Sequence, residues 1–319
     1  MFGRFYFSIG IYAKYFYDSQ RNGFKGEQIT SLFKKLSVIT RCPKSLAFLL
    51  GLSFFDCEDD SYLSFEAKNA IRPFIIAGNM KMSGNKKDIE ELLKNLKDVD
   101  IFPEIEIILA PPSVYLEFSK SKAPRKISLA AQNCYKFPYG SYTGEISPAM
   151  LKDLGVQWVI LGHSERRQIF CEKETLISEK VCHSLSQGMS VIVCVGETLE
   201  EREKGMSEEV IYNQMSSLCM SVVDWTKIVI AYEPVWAYAE GKSITLKEAQ
   251  KVHSQIRKWL KKNISPTAAQ ITRIIYAGPV TEKNCVMLAK MNDVDGFLLG
   301  DTAIENDDFI DIIYDSTSF

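Results

Sequence analysis

The chain has 319 residues, 46% of them hydrophobic and 24% charged, and it is long enough to bury a large core as one big domain or two small ones. Lys and Arg total 38 against 40 Asp and Glu, so no global basic field indicates nucleic acid or an anionic membrane as a partner. No apolar stretch reaches the roughly 18 residues of a membrane-spanning helix. The eight cysteines contain no C-x-x-C pair and no zinc spacing, which predicts buried free thiols in a reducing compartment.

The first 72 residues differ in composition from the rest of the chain. Up to residue 55 there are eight Lys or Arg against two acids, Asp18 and Glu27, and an acidic run follows at 56–60. This basic, acid-poor and weakly apolar composition is typical of an organelle-targeting leader. The alternative is an extension whose one or two helices lie on the body of the protein. We expect residues 1–72 to be a leader that addresses an organelle of plastid type, and a cytoplasmic location if the extension has no targeting role.

From residue 73 onwards, short apolar runs alternate with longer amphipathic stretches. The runs that predict strands begin near Phe74, Ile105, Ile127, Trp158, Val191, Ile228, Ile274 and Gly296. The stretches that predict helices include 86–96, 174–185, 208–220 and 246–260. Eight strand–helix units without a linker over residues 73–319 predict an α/β fold, a closed (β/α)8 barrel. A doubly wound open sheet is the competing fold, but it usually has fewer strands and a Gly-rich first turn.

Local signals mark where several helices begin. Ser147 followed by Pro148, and Thr245 three residues before Glu248, have the spacing of helix N-caps. Pro234 predicts that no helix continues there and that a loop, 237–244, forms a mobile lid over the strand end.

Polar residues follow several of the predicted strands, where a barrel of this kind carries its catalytic groups. Asn79 and Lys81 follow strand 1, His163 and Glu165 follow strand 4, and Glu233 follows strand 6. A carboxylate, a neutral imidazole and an amine suit proton abstraction next to a carbonyl, with Glu233 as the base and His163 as the donor to the developing oxyanion. Each residue alone could be a surface charge or part of a salt-bridged turn. Their joint occurrence on one predicted face favours a catalytic site.

Residues 73–319 resemble the triosephosphate isomerase family, whose fold is the TIM barrel. The matching stretches are GNMKM at 78–82, AQN at 131–133, YTGEISPAML at 142–151, VILGHSERR at 159–167, CVGE at 194–197, YEPVW at 232–236 and DGFL at 295–298. They are long, specific and in the family's order.

The resemblance implies interconversion of dihydroxyacetone phosphate and glyceraldehyde 3-phosphate through an enediolate, with no cofactor and no metal. It implies that Glu233 is the base, His163 the electrophile, and Lys81 and Asn79 an electrostatic and positioning pair that also binds substrate. Glu165 matches a further acid beside them.

The resemblance also implies a homodimer, since the family inserts the loop that matches residues 137–145 into the partner subunit. Thr143, Gly144 and Glu145 would then lie at the interface.

The departures from the family pattern lie where the substrate phosphate would bind. The family binds this dianion with backbone N–H groups of the lid, of the loop after strand 7 and of two glycines after strand 8. Here Ala239 stands where the lid has a glycine, Gly278 is followed by Pro279, which has no N–H, and Gly300 is followed by Asp301 in place of the second glycine. We expect phosphate binding to be weaker by a few kcal/mol, on the order of 10²–10³-fold.

Two alternatives therefore stand beside a triosephosphate isomerase. One is a low-activity or inactive barrel that serves as a binding or regulatory partner. The other is an isomerase for a related small sugar that has no phosphate dianion.

Overall fold

The computed structural model describes residues 72–99, 105–219, 224–240, 244–300 and 306–316. Residues 1–71 of the expected leader and the expected substrate-binding residue Asp301 lie outside these ranges.

Eight parallel strands close into a barrel, which confirms the predicted fold. The strands are β1 (Phe74–Asn79), β2 (Ile105–Ala110), β3 (Ile127–Ala131), β4 (Trp158–Leu161), β5 (Ser190–Val195), β6 (Ile228–Tyr232), β7 (Arg273–Tyr276) and β8 (Gly296–Leu299). They pair in chain order, and β8 pairs with β1 through Ile75 and Gly296 to close the ring. Each strand begins within one residue of its predicted start.

Helices follow the strands along the chain. They are α1 (Lys86–Asp98), α2 (Leu116–Lys122), α3 (Pro148–Asp153), α4 (Ser164–Gln168), α5 (Glu174–Ser186), α6 (Leu199–Glu203), α7 (Ser207–Cys219), α8 (Val235–Glu240), α9 (Leu246–Asn263), α10 (Pro266–Ile271), α11 (Glu282–Ala289) and α12 (Asn306–Asp315). Short 3-10 turns lie at Ser113–Tyr115 and Trp225–Lys227. Within the described ranges, no helix combines the length and the apolar character required to cross a bilayer.

The predicted N-caps are present. The Ser147 hydroxyl accepts from the backbone N–H of Met150, and Pro148 occupies the first turn, where a missing N–H removes no hydrogen bond. Thr245 and Glu248 form a reciprocal capping box at the start of α9.

The loop predicted at 237–244 was wrong in its first part. Helix α8 occupies Val235–Glu240, and the N–H of Ala237 donates to the carbonyl of Pro234 at 2.9 Å. Because the first N–H groups of any helix have no intrahelical partner, a proline just before the helix is compatible with it. Residues 241–243 of the expected lid lie outside the described ranges.

Both faces of the barrel sheet are buried, which explains why the strands read as continuous apolar runs. Side chains alternate along each strand, so Ile75 and Ala77 belong to the cluster inside the barrel whereas Phe74 and Ile76 pack with the surrounding helices. Of the cysteines in the described ranges, Cys134, Cys194 and Cys285 are buried as free thiols, as predicted.

The prediction of buried thiols was wrong for two cysteines. Cys182 is exposed on helix α5, and Cys171 is exposed in the turn after α4. Neither cysteine lies in an apolar, strand-like run, which is the feature that predicts burial.

Arg72 fastens the start of β1 to the barrel. Its Nε donates to Asp295 Oδ1 at 2.8 Å, and its Nη2 donates to the carbonyl of Asn292 at 3.0 Å. Asp295 is fully buried and also accepts from Arg257 Nη2 at 2.6 Å and from the N–H of Ile274 at 2.9 Å. This network joins the chain just before β1 to β7 and to the chain just before β8.

Candidate active site

Lys81 follows β1 in a left-handed backbone conformation, with φ of 48°. A non-glycine residue in this region costs free energy, on the order of 1–3 kcal/mol, unless its surroundings enforce the conformation. Here the Asn79 carboxamide oxygen accepts from the Lys81 N–H at 3.0 Å, and Gln132 Nε2 donates to the Lys81 carbonyl at 2.8 Å. Two neutral side chains, Asn79 and Gln132, thus hold the backbone from which the ammonium group projects.

His163 caps helix α4 directly after β4. The backbone N–H of Glu165 donates to His163 Nδ1 at 3.3 Å, so Nδ1 is the acceptor and has no proton in this arrangement. In the neutral imidazole the proton then resides on Nε2, which lies 3.4 Å from Glu233 Oε1. The ring therefore directs an N–H donor towards the carboxylate that follows β6.

Glu233 is 4% exposed, and its carboxylate is bound by one residue of α4. The backbone N–H of Ser164 donates to Oε2 at 2.9 Å, and the Ser164 hydroxyl donates to Oε1 at 2.5 Å. The backbone of Glu233 is held against β5, since its N–H donates to the Val195 carbonyl at 2.8 Å. A Cβ at Gly196 would lie 1.8 Å from the Glu233 carbonyl oxygen, so only glycine permits this close approach.

The Glu165 carboxylate lies between the cation and the imidazole ring. Its two carboxylate oxygens lie 3.4 Å from Lys81 Nζ and 3.5 Å from His163 Nδ1. Lys81, His163, Glu165 and Glu233 line one cavity of about 610 Å³. This volume is suited to a small molecule, and the amine, imidazole and carboxylates surround it together. The structure thus brings the predicted catalytic side chains to one site, together with Asn79.

The rest of this cavity is formed by the ends of other strands and by α6. The additional lining residues are Ser164, Gln168, Thr198, Leu199, Glu200, Val235, Ala277, Leu298, Leu299 and Gly300. Gly300 borders the Lys81 ammonium, because a Cβ there would be 3.4 Å from Nζ. Gly278 does not line the cavity; it is buried against the hydroxyl of Tyr276. Ala239 belongs to helix α8.

Glu197, which follows β5, is fully buried outside the cavity. Burial raises the pKa of this carboxyl, while the Tyr232 hydroxyl at 3.2 Å and the Arg202 guanidinium at 3.7 Å oppose the shift. The Arg202 guanidinium also stacks on the ring of Trp236 in α8, 3.8 Å from the ring centroid, and donates to Glu248 at 2.8 Å. Glu197 thus supports the chain around α8 and does not face the reacting groups.

The finger, residues 137–145, projects beside this site. Thr143, Gly144 and Glu145 are all exposed. Tyr142 stacks on Phe137 with ring centroids 5.5 Å apart, which gives the finger a defined shape.

A second cavity of about 360 Å³ lies between the finger and the catalytic residues. Its lining includes Lys81, Met82, Gly144, Glu145, His163, Glu165 and Phe170. Met82 and Phe170 are 97% and 61% exposed, so they add a large apolar surface to its rim.

Sequence reasoning missed the part that Ser164 plays. Its position directly after His163 was visible in the sequence, but a serine at the first turn of a helix is ordinarily an N-cap. Only the fold brings this serine to Glu233, 69 residues away.

The closed barrel and the four side chains around one cavity define the class, a TIM-barrel protein with a candidate acid–base site. A model of the triosephosphate isomerase family matches residues 74–316, well over half of the chain. The chain therefore belongs to the triosephosphate isomerase family, whose reaction is a step of glycolysis.

Proposed function

We propose that this barrel interconverts dihydroxyacetone phosphate and glyceraldehyde 3-phosphate through an enediolate. The observation that supports this most strongly is the set of Lys81, His163 and Glu233 around one cavity, with Glu165 within 3.5 Å of both the ammonium and the imidazole. An ammonium, an N–H donor and a carboxylate are the groups that a proton transfer between two adjacent carbons requires. The reaction needs no other group from outside the chain.

Each side chain has a role that follows from its position. Glu233 takes the carbon-bound proton and returns it to the neighbouring carbon. His163 gives its Nε2 proton to the carbonyl oxygen as it becomes an oxyanion and takes the proton of the neighbouring hydroxyl in exchange, so the ring ends neutral. Lys81 stabilises the negative charge with its fixed ammonium. Asn79 contributes by holding the Lys81 backbone through the 3.0 Å hydrogen bond to its N–H.

Glu233 has to leave Ser164 before it can act. Both of its oxygens accept hydrogen bonds from Ser164, at 2.9 and 2.5 Å, so neither faces a substrate carbon freely. Rotation of the side chain exchanges two charge-assisted hydrogen bonds for the contact with substrate. Substrate binding has to supply the free energy for this exchange, which couples binding to the formation of an active base.

The test is direct isomerisation of each triose phosphate in D₂O, followed by proton NMR. We expect the other triose phosphate to form with deuterium at the carbon that received the proton, because Glu233 would exchange with solvent. A folded protein that produces no isomer would contradict the proposal. In that case the binding or regulatory role is the better interpretation, and isothermal titration with both triose phosphates would follow.

A second candidate is an isomerase of low activity or one that acts on a small sugar without a phosphate dianion. The feature that favours it is Pro279, which cannot donate a backbone hydrogen bond in the loop after β7. Ala239 and Asp301 stand where the family has glycines. Turnover of glyceraldehyde with the same kcat/KM as its phosphate ester would favour this candidate.

The finger and the cavity beside it support a homodimer as the working form. The exposed Thr143 and the aromatic pair of Phe137 and Tyr142 give each copy a shaped projection, and the 360 Å³ cavity next to Lys81 offers a matching recess. The exposed Met82 and Phe170 would be buried by a second copy. Sedimentation velocity across a concentration series tests this, and a monomer at every concentration would refute it.

Residues 1–71 are proposed to be a leader that directs the barrel to an organelle of plastid type. The predicted boundary at residue 72 shifts by one residue, because Arg72 is bound to the buried Asp295 and belongs to the barrel. The leader's eight Lys or Arg against two acids up to residue 55 are the support. A fluorescent fusion of residues 1–71 should accumulate in that organelle, whereas diffuse cytoplasmic signal would contradict the proposal.

A further inference from the structure

Arg167 occupies an unusual place at the end of β4. The β4–β5 ladder ends with Leu161 opposite Val193, so Gly162 and Cys194 are the next residues in register. The Arg167 Nε donates to the Gly162 carbonyl at 2.5 Å, and Nη2 donates to the Cys194 carbonyl at 2.9 Å. The guanidinium thus bridges the two strands at the point where their own hydrogen bonds stop.

The bridge depends on glycine at position 162. Gly162 has φ of 71°, and a Cβ there would lie 2.9 Å from Arg167 Nη2 and 3.2 Å from the Cys194 carbonyl oxygen. The guanidinium uses the space that a side chain would fill. Its remaining Nη1 is paired with Glu174 at the start of α5, and the side chain as a whole is 15% exposed. A planar group with donors in a fixed fork fits three acceptors at once, which a lysine cannot do.

The two bridged carbonyls lie next to the two halves of the catalytic pair. Gly162 directly precedes His163, so its carbonyl orientation sets the peptide plane from which the imidazole projects. Cys194 precedes Val195, whose carbonyl accepts from the N–H of Glu233 at 2.8 Å. One guanidinium therefore joins the strand that carries the imidazole to the strand that holds the backbone of the base.

We propose that Arg167 is a positioning residue, which keeps His163 directed at the substrate oxygen by fixing the Gly162 carbonyl relative to β5. This inference rests on the proposed isomerase function. Release of the carbonyl would let the peptide plane rotate and move the imidazole away from the 3.4 Å approach to Glu233. A displacement of about 1 Å at reacting groups can lower a rate by about 10²-fold.

The test uses Arg167→Lys and Arg167→Gln in the full chain, with Arg273→Gln as the matched control. Arg273 is also a nearly buried arginine in an ion pair, 2.8 Å from Glu106 and 12% exposed, but it begins β7 and lies at the opposite end of the barrel. We expect kcat to fall about 10- to 100-fold in both Arg167 variants, while KM stays within about threefold of the parent. Arg273→Gln should lower the melting temperature without lowering kcat.

A second readout is independent of turnover. In the substrate-free protein, the ¹⁵N shifts of the His163 ring should show a bare Nδ1 and a protonated Nε2. In the Arg167 variants the two shifts should move towards each other, because a ring displaced with the Gly162–His163 peptide no longer accepts the Glu165 N–H at Nδ1. Arg273→Gln should leave them unchanged.

Wild-type kcat in Arg167→Lys would overturn the inference, as would a rise in KM with unchanged kcat, or failure of both Arg167 variants to fold. If the parent chain itself has no isomerase activity, the proposed function fails. The ¹⁵N shifts of the His163 ring then test the positioning role on their own. Shifts that converge would then still support the positioning role, and unchanged shifts would refute it.

Discussion

Pro279 offers the sharpest test of how this chain would bind the phosphate of the proposed triose phosphate substrate. Replacement by alanine adds one backbone N–H to the loop after β7, and replacement by serine adds that N–H and a hydroxyl. Two hydrogen bonds that do not involve the proline ring hold the loop. Asn284 Nδ2 donates to the Pro279 carbonyl at 3.0 Å, and the N–H of Ala277 donates to the Tyr232 carbonyl at 2.8 Å. Both bonds can persist in the variants.

One hydrogen bond to a charged group contributes roughly 1.5–3 kcal/mol, which corresponds to about 10- to 150-fold in affinity. We expect Pro279→Ala to raise kcat/KM for glyceraldehyde 3-phosphate by that factor. Pro279→Ser should raise kcat/KM for glyceraldehyde 3-phosphate by at least the same factor. Neither should change turnover of glyceraldehyde, which has no phosphate. The variants should lose about 0.4–1 kcal/mol of stability, since the unfolded chain gains freedom.

The assay is steady-state isomerisation of both substrates, and Pro266→Ala is the matched control. Pro266 occupies the first turn of α10, where a new N–H has no ligand to bind. An unchanged or lower kcat/KM for the phosphate ester in Pro279→Ser would refute the reasoning about a missing donor.

Three further predictions concern stability and assembly. Arg72→Ala should lower the free energy of unfolding by roughly 3 kcal/mol, because it removes one partner from the buried Asp295. Urea titration measures this, and a change below about 0.5 kcal/mol would contradict the prediction. Burial lowers the pKa of His253 to about 4, below the ordinary value of 6.5, so the unfolded chain binds a proton between these pH values and the native protein does not. Stability should therefore fall as the pH drops from about 6.5 towards 4, by up to about 1.4 kcal/mol per pH unit from this group. Urea titrations at pH 7 and 5 should show that His253→Gln removes this part of the dependence of stability on pH. An unaltered dependence would rule out His253 as its source. Met82→Arg, at a side chain that is 97% exposed, should yield monomers in sedimentation velocity, and an intact dimer would place the interface elsewhere.

The strands were predictable because both of their faces are buried, which leaves apolar runs with clear ends. The two starts that differ by one residue are Ser190 and Arg273, polar residues whose side chains are partly exposed at the barrel end. Hydrophobicity alone does not include such residues in a strand. Helix α8 escapes prediction for a different reason: Pro234 is a helix-breaking signal in the sequence, although a proline is compatible with the start of a helix.

The identities of the site residues followed from their places after strands, but their contacts did not. Glu233 is bound by Ser164, and the tautomer of His163 follows from the N–H of Glu165. Both contacts depend on side-chain torsions that no pattern encodes. Arg167 could be interpreted from sequence as part of a salt-bridged turn, and it does pair with Glu174. Its reach to the carbonyl of Cys194, 27 residues away, required the closed barrel.

The central claim is that Glu233 takes a proton from carbon. The most direct measurement is kcat for isomerisation in Glu233→Gln, which keeps the size of the side chain and removes its basicity. Glu282→Gln, at an exposed position in the first turn of α11, is the control. A general base contributes about 10²–10⁴-fold, so we expect kcat to fall by at least about 10²-fold in Glu233→Gln and to stay unchanged in the control. A Glu233→Gln enzyme within about threefold of the parent rate would contradict the account.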